Sequence, residues 1–242
     1  MKKTNSIIYL IILCFISVNA FAEIVNVPPK DPSPNRFYLF YLHGRIVEGS
    51  DGYPISPDYG RYEYDKILKT FSDKDFIVIS EIRENNTDIE LYAKKISDWI
   101  NHLLKAGVPS SRITVVGGSK GGIIATRVSN ILRNKKIKFV ILAGLFESLI
   151  KDKNMQLWGE VLSIYDKADK FPITPKAYYD TSPGISKWHS IITETGLGHG
   201  LIYKPYLEWV NEVIEWSGIQ AEQPHRDPVM PGRWPEGGIK LP

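Results

Sequence analysis

Ile113-Thr-Val-Val-Gly-Gly-Ser-Lys-Gly-Gly-Ile-Ile-Ala125 decides the fold of this chain. Ile113 to Val116 is a short β-branched apolar run bounded by turn residues, as a buried strand requires. From Ile123 onward, small and apolar residues recur as on the inner face of a helix. Between the two lies Gly117-Gly118-Ser119-Lys120-Gly121, a G-x-S-x-G. Glycines on both sides of a serine let strand and helix cross closely with no Cβ between them. The start of the helix behind the serine offers free N–H groups and partial positive charge to a forming anion. A dinucleotide-binding turn is a poorer reading, because Ser119 and Ile123 stand where G-x-G-x-x-G needs glycine. The Tyr-x-x-x-Lys of that dehydrogenase class occurs only at Tyr62 to Lys66, upstream of the turn.

Working outward, Phe37-Tyr-Leu-Phe-Tyr-Leu42 is an uninterrupted apolar run, expected of a strand covered on both faces. It ends in His43-Gly44-Arg45, followed by a long polar loop to Arg61. Tyr62 to Phe71 reads as a helix and Phe76 to Ser80 as a strand. Thr87-x-x-Glu90 has the spacing of a capping box. Tyr92, Ile96, Trp99, Ile100 and Leu103 then mark one helical stripe. Ile137 to Leu142 reads as a strand and Leu145 to Trp158 as an amphipathic insert, too short for a large lid. Val161 to Tyr165 is a strand leading to Asp166-Lys-Ala-Asp169. Phe171 to Lys187 is a Pro/Tyr-rich excursion. Trp188 to Thr193 is the last strand, ending in Gly196-Leu-Gly-His-Gly200, and a helix from Pro205 to Trp216 closes the fold. Alternating strands and helices predict an α/β domain with a mostly parallel central sheet between helical layers.

The candidate chemistry lies beyond the carboxyl ends of these strands, where open parallel sheets bind ligands. The order is Ser119, then Asp166 and Asp169, then His199. Serine needs a base to become a nucleophile, histidine titrates near neutrality, and a carboxylate orients the imidazole. His199 is the glycine-flanked histidine after a strand. His43 reads as a structural residue of its loop, His102 and His189 as parts of a helix and a strand, and His225 as part of the tail.

These features resemble the α/β-hydrolase superfamily, most closely at Gly-Gly-Ser-Lys-Gly-Gly and Gly-Leu-Gly-His-Gly, over about Phe37 to Ser217. The resemblance implies a three-layer α/β-hydrolase-like sandwich and a nucleophile elbow at Ser119. It implies a serine hydrolase cleaving a carboxylic ester or related acyl bond through an acyl-enzyme. Ser119 is then the nucleophile, His199 the general base and acid, and Asp169 the orienting carboxylate, with Asp166 the alternative acid. Asp166 also occupies the glycine position of the usual G-x-x-D. The oxyanion donors are then the N–H groups of Lys120 and Arg45, and no cofactor or metal is needed. Peptidase or thioesterase chemistry uses the same triad, and a catalytically silent binding protein has the same fold. The Arg45 guanidinium suits a substrate carboxylate. Tyr53, Tyr59, Tyr62, Trp158, Tyr178 and Tyr179 come from segments able to border the cleft.

The 242 residues suffice for one domain with a sizeable core. Lys2 and Lys3, the apolar run Ile7 to Val18 and Ala20-Phe21-Ala22 form a secretory signal peptide at residues 1–22. Removing it takes 30 basic residues to 28, against 27 acidic. So balanced a chain, without a basic stripe, offers nothing to nucleic acid. The sole cysteine, Cys14, leaves with the leader. The expected organisation is a lead-in loop at 23–35, the hydrolase domain at 36–218 and a Pro/Gly-rich tail at 219–242. The expected product is periplasmic or secreted, acts on a small ester or acyl substrate, and keeps no stable membrane anchor after cleavage.

Overall fold

The computed structural model describes residues 23–147, 156–171 and 175–219. The signal-peptide reading of 1–22, the tail beyond Ile219 and most of the insert after Gly144 lie outside them. Seven strands among these residues form one parallel sheet: β1 (Glu23–Val25), β2 (Phe37–Leu42), β5 (Phe76–Ile79), β6 (Ile113–Gly118), β7 (Lys138–Leu142), β8 (Trp158–Asp166) and β9 (Gly184–Thr193). Their spatial order is β1-β5-β2-β6-β7-β8-β9, and every neighbouring pair is parallel. β3 (Ile55–Ser56) and β4 (Gly60–Arg61) make a small separate antiparallel pair within the long polar loop. The helices are α1 (Tyr64–Ser72), α2 (Ile89–Lys105), α3 (Lys120–Leu132), α4 (Pro175–Asp180) and α5 (Leu207–Trp216).

Side chains alternate across the sheet and so feed two cores. Tyr38, Phe40 and Leu42 of β2 pack with Ile96 and Ile100 of α2 and Ile124 and Val128 of α3. Leu39 and Tyr41 pack on the other face with Ile67 and Phe71 of α1 and Trp209 and Val213 of α5. The result is three layers, with helices on both faces and β2 and β6 buried in the middle. None of the helices among the described residues is long and apolar enough to cross a membrane.

Several boundaries differ from the sequence reading. The lead-in at 23–35 begins with β1, whose three residues pair with Ile77 to Ile79. α2 is capped by Asp88, not Thr87: Asp88 Oδ1 accepts from Leu91 N at 2.9 Å, whereas the Thr87 hydroxyl turns back to Glu84 O at 2.7 Å. Asp88 is the better acceptor at this cap because its carboxylate is charged. β8 starts at Trp158 instead of Val161. A register shift at Gly159/Glu160, with Gly159 at φ +97°, interrupts its pattern there. β9 starts at Gly184, so the Pro/Tyr-rich excursion is shorter and carries α4.

Candidate active site

β6 ends at Gly118 and α3 starts at Lys120, leaving Ser119 alone in the turn at φ 53°, ψ −118°. A non-glycine residue held there stores on the order of 1–3 kcal/mol of strain. The turn is anchored by Ser119 N donating to Leu142 O at 2.9 Å and by Ile123 N donating to Ser119 O at 3.1 Å. Gly121 crosses β2 so closely that a Cβ would stand 1.8 Å from Leu42 O. Lys120 opens α3 and Arg45 opens a single 3-10 turn, Arg45–Val47, after β2. Their N–H groups therefore have no carbonyl partner within their own elements.

Ser119, Lys120, Gly44, Arg45 and His199 all line one cavity of about 630 Å³. His199 lies in the 3-10 segment Gly198–Tyr203, and its side chain is buried. Its Nδ1 lies 2.8 Å from Asp169 Oδ2, and the Asp169 side chain is only 2% exposed. Asp169 is an acceptor when ionised, so Nδ1 carries the proton and Nε2 is the basic nitrogen. Asp169 Oδ1 accepts from Phe171 N at 3.0 Å, and the Phe171 ring packs edge-on 4.7 Å from the imidazole. The structure thus brings Ser119 and His199 to one cavity and joins Asp169 to it through the His199 ring. Among the described residues no hydrogen bond joins the Ser119 hydroxyl to His199. Such bonds are often loose before substrate arrives.

Asp166 is used differently. Its Oδ1 accepts from Ala168 N at 2.9 Å and Gly198 N at 3.1 Å; its Oδ2 accepts from Thr193 Oγ1 at 2.9 Å, Thr195 N at 2.8 Å and Thr195 Oγ1 at 2.7 Å. Desolvation raises its pKa, but hydrogen bonds from Thr195, Ala168, Thr193 and Gly198 outweigh that and bring it down to about 2. The contribution is present above the unfolded carboxylate pKa near 3.9 and is lost as pH falls through about 2. Asp166 ties the loop bearing Asp169 to the loop bearing His199. Asp166→Ala would strand five donors at once. It is expected to cost roughly 2–5 kcal/mol, read as a lower urea midpoint in equilibrium unfolding.

His43 is fully buried. Its Nδ1–H donates to Gly44 O at 2.9 Å, and its Nε2 accepts from Arg83 N at 3.0 Å. Desolvation, and then the Arg83 charge, lower its pKa to about 3. An unfolded histidine titrates near 6.5, so the unfolded chain takes up the proton first. This contribution to stability is therefore complete above pH 6.5 and is lost as pH falls toward 3. Urea unfolding between pH 6 and pH 4 should show stability falling by roughly 1.4 kcal/mol per pH unit from this one group. A flat profile there would contradict a buried neutral His43.

The cavity wall is largely aromatic and apolar: Tyr59, Tyr62, Tyr203, Phe146, Phe171 and Ile202. Tyr59 and Tyr62 are among the aromatic residues expected there. Tyr53 instead bonds Asp65, Trp158 starts β8, Tyr178 is buried on Phe146 O, and Tyr179 packs on Trp188. Tyr203, Phe146 and Phe171 escaped the sequence reading. The Arg45 side chain is exposed at the cavity rim. Among the described residues, no three His, Cys, Asp or Glu side chains are grouped to hold a metal ion.

Glu48 and Arg83 also escaped it. Both are charged and buried directly behind this site, at 7% and 2% exposure. Neither carries a local sequence signal, and only the fold brings Glu48 to Lys120 and Arg83 to Glu48.

The phospholipase/carboxylesterase family model matches residues 71–170, a span that includes Ser119 and Asp169. No curated protein sequence matches the chain. Among solved structures, an esterase of Pyrococcus furiosus superposes with a TM-score of 0.50 at 12% identity, covering 74% of this chain and 81% of that one. The propionate-bound thermophilic esterase Est2 of Thermogutta terrifontis gives 0.50 at 15% identity, covering 82% and 90%. At such identities these two likenesses speak for the fold. The match over residues 71–170, the parallel sheet and the strand–serine–helix elbow together give this chain an α/β-hydrolase fold, similar to that of known esterases.

Proposed function

We propose that this protein is a serine hydrolase that cleaves a carboxylic ester through an acyl-enzyme. The observation that carries the reading is the buried Asp169–His199 hydrogen bond of 2.8 Å on the same cavity as the strained Ser119 turn. Ser119 Oγ attacks the carbonyl carbon while His199 Nε2 takes its proton. Asp169 holds the imidazole in the required tautomer and stabilises its charged form. The N–H groups of Lys120 and Arg45 receive the developing oxyanion, a role worth about 10²–10³ in rate per donor. His199 then returns the proton to the leaving alcohol. Water, activated by the same histidine, releases the acid.

The apolar, aromatic walls favour an ester with an apolar acyl or aryl group. Thioester and amide cleavage use the same groups and are secondary readings. The leader at 1–22 supports export to the periplasm or medium, and N-terminal sequencing of the exported protein, expected to start at Glu23, tests it. The activity itself is tested with p-nitrophenyl esters of increasing chain length, alongside acetylated sugars and aryl esters. Turnover of at least one ester, absent in Ser119→Ala, supports the reading. Folded protein that turns over none favours a binding protein of the same fold.

A further inference from the structure

The two N–H groups assigned to the oxyanion stand on different loops, one after β2 and one after β6. Strand pairing between Leu42 and Gly117 stops just short of both. Something beyond the sheet must therefore set their separation, and a misplacement of about 1 Å at a reacting centre can cost on the order of 10²-fold in rate.

One side chain reaches both loops. The Glu48 N–H closes the 3-10 turn on Arg45 O at 3.0 Å, so its main chain is fixed to one donor. Its carboxylate, 3% exposed, receives Lys120 Nζ at 2.7 Å on Oε1 and 2.9 Å on Oε2, so its side chain is fixed to the residue bearing the other. Arg83 completes the clamp. Its Nε lies 3.3 Å from Glu48 Oε1, its Nη2 donates to His43 O at 2.5 Å, and its carbonyl accepts from Gly49 N at 2.8 Å. Both ends of the segment from His43 to Gly49 are thereby held by a single arginine. Burying two cations and one anion is expensive, and well-packed apolar residues would often serve stability as well or better. What apolar packing does not supply is a directional link between two particular loops.

We propose that Glu48 is a positioning residue for the oxyanion hole, setting the spacing of the Arg45 and Lys120 N–H groups through its ion pair with the Lys120 side chain. The inference rests on the reading of Ser119 as nucleophile. The excess positive charge of the Arg83–Glu48–Lys120 cluster adds a favourable field for an anion forming in the cavity.

Lys120→Met severs the link and leaves Glu48 and Arg83 as a one-to-one pair, so the charge balance behind the site stays tolerable. Glu48→Asp keeps every charge and shortens the reach by one methylene. Both variants are expected to lose about 10- to 100-fold in kcat with KM changed less than about threefold. Affinity for a boronic acid, which forms a tetrahedral adduct at the serine, should fall by the same factor as kcat/KM. Lys120→Arg, which restores charge and donors, should recover most of the kcat. The inference is overturned if either variant folds with kcat and boronic-acid affinity unchanged, or if only the melting temperature moves. A wild-type protein that turns over no ester removes the function reading and this inference together. Wild-type turnover matched by both variants removes the inference alone.

Discussion

Ser119→Ala is expected to lower kcat by about 10⁵–10⁶-fold while leaving the fold and its melting temperature nearly unchanged. The two halves of this expectation have separate causes. The chemistry is lost because no other hydroxyl stands in the strained turn between β6 and α3. The fold survives because Ser119 contributes to structure through its backbone, by Ser119 N to Leu142 O and by its carbonyl to Ile123 N, and alanine keeps both bonds. Alanine at φ 53° carries the same strain as serine. Asp169→Asn is expected to lose about 10⁴-fold, because an amide can hold the imidazole in the wrong tautomer. Steady-state rates beside thermal melts separate these variants from Asp166→Ala, which should lose stability first.

Gly121→Ala should have the largest effect on the fold. Its Cβ would stand 1.8 Å from Leu42 O, 2.5 Å from the Leu42 carbonyl carbon and 2.7 Å from His43 O. All three are backbone atoms of the central strand and its loop, so no rotamer change relieves the contact. Relief needs α3 to lift from the sheet, which would open the packing of Ile124 and Val128 in the core. A loss beyond about 4 kcal/mol is expected, seen as little or no soluble folded protein. Gly118→Ala is the control. Its Cβ would meet only the Ile202 side chain, at 3.3 Å from Cδ1, and a flexible end can yield by a few tenths of an ångström. That variant should fold and lose less than about 2 kcal/mol. Equal behaviour of the two would refute the close crossing of α3 over β2.

The middle of the sheet was legible because buried parallel strands must be apolar on both faces; Phe37 to Leu42 shows this without interruption, and Phe139 to Leu142 shows it after the single Lys138. The elbow was legible because only glycine permits the crossing at Gly117 and Gly121. The edges were not. β1 has three residues in a proline-rich stretch and exists by pairing with β5. β9 is an edge strand with Lys187 and His189 exposed and no interior residue fully buried, which blurs its pattern. Asp166 and Asp169 follow the same strand three residues apart. Which one meets the histidine depends on where the Thr195 and Gly198 amides converge, a fact of the folded loop. The link from Glu48 to Lys120 spans 72 residues and leaves no local trace.

The most direct measurement is mass spectrometry of the protein after reaction with a fluorophosphonate. The account predicts one covalent adduct, located on Ser119, forming rapidly in the wild type and at least about 10³-fold more slowly in His199→Ala. A folded protein that takes up no adduct, or that takes it up equally well without the His199 imidazole, would contradict it.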